Sequence, residues 1–186
     1  MAEKKPNIHK TIFFLILVFL PPYWLIFTDE GSRMSDTALL WLLGEDEIKF
    51  NVRELNSGFT RAEIQTVFSE NEWHCGAQDT PFGDNLCATQ IGTFNGYPSR
   101  LLTLYFIGDN ISAFKLIYRD QYHRQLLGYF IKQLGQPSNV EQAVSDSPDA
   151  ASVLEWDLKQ GVLLMKKELA KGDEPSVVWM ASKPPA

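Results

Sequence analysis

Only a handful of side chains in this sequence have the chemistry to bind or react, and their spacing decides what each can do. Cys75 and Cys87 stand twelve positions apart across a stretch rich in Gly, Pro and Asp. In an oxidising compartment that pair is read as a disulfide, and closing a loop of that length contributes about 3 kcal/mol in the chain-entropy picture. His74 beside Cys75, with His123 farther along, raises zinc as an alternative, but the spacing fits no recognised ligand pattern. Asp79 and Asp84 lie in the same stretch, where clustered oxygens would suit calcium; EF-hand spacing is missing and such loops are ordinarily turns. Neither histidine has a Gly-x-Ser-x-Gly context, and no Gly-rich phosphate loop occurs. Asn110-Ile111-Ser112 matches a glycosylation sequon, a pattern short enough to arise by chance. No catalytic residue, cofactor site or metal ligand set is assigned.

Aromatic residues are the more informative set. Trp41, Trp73, Tyr97, Tyr105, Trp156 and Trp179 are the candidate interaction residues, with Phe114 and Tyr118 beside them in the sequence pattern. Most residues of this kind fill cores, whereas an exposed cluster would form an interface hot spot or a ligand groove. Lys166-Lys167, inside an apolar run, reads as protection of an exposed strand edge.

What the cysteines do depends on where they sit, and the stretch Thr11 to Phe27, TIFFLILVFLPPYWLIF, decides that. It contains no ionisable group, with Lys4, Lys5, His9 and Lys10 before it and Asp29 and Glu30 directly after. Its seventeen residues reach about 25 Å as a helix, and Thr28 and snorkelling lysines extend that toward the roughly 30 Å hydrocarbon layer. Tyr23 and Trp24 fall at headgroup level, and Pro21-Pro22 kinks the span. A cleaved signal peptide needs small residues before a cut site, and PPYWLIFTDEG offers none. Residues 11–28 are therefore a transmembrane signal-anchor in the lipid bilayer. With the positive charge on the N-terminal side, residues 1–10 are a cytoplasmic tail and the remainder lies outside the inner membrane of a bacterium, in the periplasm.

Removing Glu3 from 23 acidic residues leaves 22, and removing Lys4, Lys5 and Lys10 from 17 basic ones leaves 14, a formal charge of −8 for the exported part. Such a domain has no electrostatic footprint for nucleic acid. Apolar content of 45% argues for a packed core.

The elements follow from patterning. Residues 29–47 are a linker (DEGSRMSD) followed by a short apolar helix, Thr37 to Leu43, capped by Ser35 or Asp36. Burial in the domain is its simplest destination; the bilayer surface and a partner are the others. Ile48 to Leu55 alternates as a half-buried strand. Thr60 and Glu63 form a capping box that opens a helix with Phe59 as staple and Ile64, Val67 and Phe68 facing inward. Cys75 to Cys87 is a loop leading into a strand from Ala88 to Phe94. Arg100 to Ile107 and Ile111 to Tyr118 make a hairpin, apolar on both faces and so central. A helix over Gln121 to Leu134 ends at Gly135 with Pro137 beyond. A polar loop, 138–151, precedes a meander over Val153 to Leu158, Val162 to Leu169 and Ser176 to Ser182. Residues 48–182 are thus an α+β domain: a two-layer structure of antiparallel sheet and two main helices. It divides into two helix-plus-three-strand units, 60–118 and 121–182, with 183–186 a loose tail.

Gly58, Thr60 and Arg61 opening a short helix with Val67, and the apolar strand LLTLYFIGDNI, resemble the small outer-membrane assembly lipoprotein family (SmpA/OmlA, BamE-like) over residues 57–118. The family's Leu-Gly-x-Pro after the first helix is replaced by SENEWHCG, and its lipid-bearing cysteine is absent. The resemblance implies a periplasmic α+β scaffold and transfers no functional residue.

Together these features point to a membrane-anchored accessory protein that binds other envelope proteins. A small-ligand or peptide-binding domain is the alternative, and a membrane-tethered hydrolase a third. Alkaline phosphatase fused after residue 186 is expected to be active and a fusion after residue 8 inactive; the opposite pattern would overturn the orientation.

Overall fold

The computed structural model describes residues 8–69, 71–141 and 152–182. Most of the N-terminal tail, the greater part of the 138–151 stretch and the tail 183–186 lie outside the described residues. Helix α1, Ile8–Phe27, runs through Pro21 and Pro22 for 20 residues, about 30 Å. Its apolar side chains are exposed along the whole length. By length and composition it is able to cross a membrane.

Helix α2 follows after a single residue and spans Asp29–Leu42, so the expected linker 29–36 is itself helical. Neither Ser35 nor Asp36 caps it. Thr28 does, its hydroxyl accepting from the Gly31 amide at 3.0 Å, and Asp29 and Glu30 occupy the first turn, where carboxylates complement the helix dipole. Gly31 and Ser32, read as linker residues, are kept helical by tertiary packing.

The remainder is an α+β domain built on a ten-stranded sheet. Its strands are β1 (Glu47–Ile48), β2 (His74–Thr80), β3 (Gly83–Gln90), β4 (Thr93–Phe94), β5 (Tyr97–Ile107), β6 (Asn110–Tyr118), β7 (Asn139–Glu141), β8 (Val153–Leu158), β9 (Gly161–Lys166) and β10 (Ser176–Ala181). Helix α3 spans Arg61–Val67 and α4 spans His123–Leu134. Across the sheet the order is β2-β3-β5-β6-β10-β9-β8-β7, all antiparallel. β4 pairs with the start of β5, and β1 adds to β4 in parallel. The hairpin β5–β6 is central, as its doubly apolar pattern predicts, and the C-terminal meander forms with its middle strand ending at Lys166 rather than Leu169.

Three readings of local structure are corrected. The strand expected over Ile48 to Leu55 stops after Ile48. The Asn95 side chain takes the place of a strand partner, accepting from the Phe50 amide at 2.9 Å and donating to its carbonyl at 2.8 Å. Asn51 then caps a 3-10 turn, Val52–Glu54. Second, Cys75 to Cys87 is a hairpin, with the two cysteines directly opposite each other and bonded at 2.03 Å. Its strand β2, HCGAQDT, is an edge with little β propensity, so periodicity could not reveal it. Third, Lys166 lies on an interior strand paired on both sides and binds Asp173 at 2.6 Å, so the Lys166-Lys167 pair marks no edge.

Both helices pack on one face of the sheet. Phe130 of α4 lies 6.3 Å from the Trp156 ring; Ile64 of α3 is buried in the same core as Leu102, Leu104 and Phe114. Val67, expected to face inward, is exposed because α3 ends there and the chain turns at Phe68. The start of α3 is tied to the β5–β6 turn, where the Arg61 amide donates to the Asp109 carbonyl at 3.0 Å.

The capping box is complete: Thr60 Oγ1 accepts from the Glu63 amide and the Glu63 carboxylate accepts from the Thr60 amide at 2.8 Å. The Thr60 backbone and hydroxyl hold the Glu63 carboxyl below its ordinary value. Thr60→Ala should lower unfolding stability by about 1 kcal/mol in urea titrations. A depressed folded pKa stabilises above the unfolded value and is lost as pH falls through the folded one. Glu63→Gln should therefore flatten the acid limb of stability against pH, and an unchanged limb would dissociate Glu63 from it.

Candidate functional site: the open face of the sheet

Strand register places every second residue on the face away from the helices, because directly opposed antiparallel partners share a face. One row runs Leu86, Tyr105, Ala113, Met180, Val162 across β3, β5, β6, β10 and β9. It spans four strand spacings, roughly 19 Å, and ends at Asp157 on β8. Apart from Ala113, which is buried, these apolar side chains are only half-buried. No helix lies over them among the described residues.

The next row carries Thr103, Lys115, Val178, Leu164 and Glu155. Here the β9–β10 connection folds back, Glu174 pairing with Lys115 and Asp173 with Lys166. The Asp173 carboxyl is held low by Lys166 and by the Ala170 amide. At the other end the β2–β3 turn curls over: Phe82 lies 5.0 Å from the Tyr105 ring, and Ser112 donates to the Phe82 carbonyl. Gly83 permits this close approach, since a Cβ there would stand 2.2 Å from the Phe106 carbonyl oxygen. An apolar strip is thus left between two folded-back loops, with carboxylates along its rim.

The six aromatic candidates do not form one cluster. Trp156 and Trp179 are removed as interaction residues. Both are core, Trp156 donating its indole N–H to the Gly135 carbonyl at 2.9 Å and Trp179 packing on Phe114. Each sits at an inward position of its strand, and alternation in the sequence could not reveal which face the helices cover. Trp73 is half-buried, its indole donating to the Phe68 carbonyl at 3.2 Å. Tyr97 lies on the helix side between the Arg33 guanidinium, 4.9 Å from its ring, and Tyr129. Tyr105 is on the open face, and Trp41 is on α2, 78% exposed. Met180, Val162 and Leu164 were missed; only the register of β10 and β9 singles them out.

Polar groups are used structurally. His123 is buried, with Nε2 3.0 Å from the Lys167 carbonyl and Nδ1 2.7 Å from the Tyr118 hydroxyl. A carbonyl only accepts, so Nε2 donates to Lys167. The tyrosines shifted by burial, 97, 118, 122 and 129, all move upward, which keeps them neutral rather than reactive. Asp84 accepts from the Gly108 amide at 3.2 Å. No group of three or more His, Cys, Asp or Glu able to hold a metal ion occurs among the described residues. Under α3 lies an apolar cavity of about 50 Å³ lined by Phe50, Phe59, Ile64, Phe68 and Leu104 among others. That is well below the roughly 150 Å³ that holds a benzene ring.

No protein-family model and no curated protein matches the chain. Among solved structures, a DUF4309 family protein (YjgB) from Bacillus subtilis aligns over 81% of this chain and 97% of its own, at 13% identity and a TM-score of 0.34. A likeness of that grade carries no statement about fold or activity.

The two faces should respond differently to substitution. Trp179→Ala is expected to cost about 3–5 kcal/mol and Met180→Ser about 1 kcal/mol or less in chemical denaturation. Equal losses would mean that the face bearing Met180 is as covered as the core.

Proposed function

We propose that this chain is a membrane-tethered accessory protein that binds another envelope protein on the open face of its sheet. Helix α1 is the anchor in this reading, with the sheet domain on the periplasmic side. The observation that carries the proposal is the half-exposed apolar row through Tyr105, Met180 and Val162, bordered by Glu155, Asp157, Asp173 and Glu174. Apolar strips with charged rims are what protein interfaces bury, and the strip's roughly 19 Å length suits an extended segment or a helix. Glu155 and Asp157, which lie outside the Lys115–Glu174 and Lys166–Asp173 pairs, and an overall charge of −6 favour a partner with basic groups beside its apolar contact. A ligand-binding role is less well supported, because the apolar cavity under α3 is small and the larger recess of about 290 Å³ beside Glu45, Glu72 and His74 is mostly polar.

A photo-crosslinking amino acid placed at position 162 or 180 should trap one partner in intact cells, and one at the exposed Lys132 of α4 should not. Crosslinking from 132 alone would move the interface to the helix layer. Absence of a discrete product from any of the three would remove the accessory-protein reading.

A further inference from the structure

Helix α2 has two opposed faces with different partners. Arg33, Thr37 and Leu40, at i, i+4 and i+7, face the domain. Arg33 donates to the Gly96 carbonyl at 2.7 Å and Thr37 to the same oxygen at 3.3 Å, while Leu40 is buried. Asp36, beside them, accepts from the Tyr122 hydroxyl and from Gln121. The opposite stripe is Gly31, Ser35, Ala38 and Leu42, flanked by Met34 and Trp41. It ends in open apolar surface: Trp41 is 78% exposed, Leu42 74% and Met34 51%.

The first half of that same stripe touches α1. A Cβ on Gly31 would lie 2.2 Å from the Trp24 carbonyl oxygen and 2.7 Å from the Leu25 Cα, and Ser35 Oγ lies 3.5 Å from the Leu25 carbonyl. Thr28 fixes the corner from both sides, donating to the Trp24 carbonyl at 2.7 Å and accepting from the Gly31 amide at 3.0 Å. α1 therefore leaves the elbow on the side where Trp41 and Leu42 are bare. The burial expected for the 37–43 stretch holds for Leu40 but not for Trp41, Leu42 and Leu43, which point away from the domain.

We infer that α2 lies in the surface of the bilayer, its Met34–Ala38–Trp41–Leu42 face among the headgroups and upper acyl chains, with the sheet domain mounted on its other face. This rests on the reading of α1 as a membrane anchor. A second copy could also cover an apolar face, but α1, apolar from Ile12 to Phe27, packs on Gly31 and Ser35 of this same face. Where α1 enters lipid, the continuation of the same surface meets lipid too. A tryptophan beside leucines is the composition that settles at an interface. Residues 34–43 contain no Lys or Arg, and Glu45, Asp46 and Glu47 follow, so attachment is apolar and needs no anionic lipid. The consequence is a fixed posture: the domain does not swing on a tether but is held against the membrane in one orientation.

The test uses the full chain in phosphatidylcholine nanodiscs, its native disulfide intact, with one nitroxide introduced at 16, 42 or 53 and its collisions with oxygen and a water-soluble nickel chelate compared. Position 16 reports on the anchor and Arg53, exposed on the 3-10 turn, on bulk water. The expected result is deep, oxygen-dominated exposure at 16, shallow oxygen-dominated exposure at 42 and nickel-dominated exposure at 53, unchanged when anionic lipid is added. Lipid exposure at 16 with an aqueous signal at 42 would overturn the inference while leaving the anchor standing. An aqueous signal at 16 would overturn the anchor itself. Shielding of 42 from both reagents, with spin–spin broadening, would assign the face to a second copy and overturn the inference.

Discussion

The structure depends on the pairing of β6 with β10. Five registered pairs, from Ser176 opposite Ile117 to Met180 opposite Ala113, join segments about sixty positions apart in the chain. On the inner side the pairing brings Trp179 beside Phe114, ring centres 6.4 Å apart and nearly parallel. The indole fits only because β9 begins with Gly161, where a Cβ would stand 2.3 Å from the indole nitrogen and 2.5 Å from the Met180 carbonyl oxygen. The second contact is with backbone, so a side chain at 161 cannot be accommodated by a rotamer change. Strands fan out from this pair, β5-β3-β2 on one side and β9-β8-β7 on the other. Each set is made of short antiparallel connections that form locally, whereas the central ladder is non-local and carries the loop-closure cost.

That arrangement also explains why one face stays open. Two short helices, of seven and twelve residues, cover a single side of a wide sheet, and both belong to that side because each is tied to a strand end there. α3 is held by the Asp109 carbonyl at the β5–β6 turn, and α4 begins directly after β6 through the Asp120–Tyr122 turn. The other face is trimmed only at its margins, by the β2–β3 turn over Tyr105 and the β9–β10 connection over Lys115 and Lys166. An antiparallel sheet tolerates water on one face when that face is polar. Here its centre is Tyr105, Met180, Val162 and Val178, which is the reason to regard it as a binding surface.

How much of this was legible in the sequence follows from the range of each signal. The capping box at Thr60 and Glu63, the Gly135 stop of α4, the β5–β6 hairpin and the C-terminal meander are written in contiguous residues, and each formed. The disulfide was legible from the cysteine pair taken with the apolar stretch that places it in an oxidising compartment, although its setting as a cross-strand pair was not. What failed was decided by distant residues. Asn95 ended the strand after Ile48 by bonding both backbone groups of Phe50, and α1 packs on Gly31 where composition suggested a linker. The open-face row was invisible because alternation gives two faces and not which of them the helices cover. Trp156 and Met180, on the inner and outer faces, look equally ready for either role until the register is known.

The join between α2 and the domain differs in kind from the joins inside the domain. Only Gly31 and Leu40 are buried on α2, and the contact is made of hydrogen bonds: Arg33 and Thr37 to Gly96, Tyr122 and Gln121 to Asp36, and Gln125 to the Asp29 carbonyl at 3.0 Å. Such bonds exchange for water at little net cost, about 1 kcal/mol each, whereas apolar burial scales with area. The α2 junction therefore contributes less stability than an apolar contact of the same extent would. It is also directional, since Gly96 and Asp36 accept only in particular geometries. A helix attached in this way sets an orientation without adding to the core, which separates the element that faces α1 from the element that carries the open apolar row.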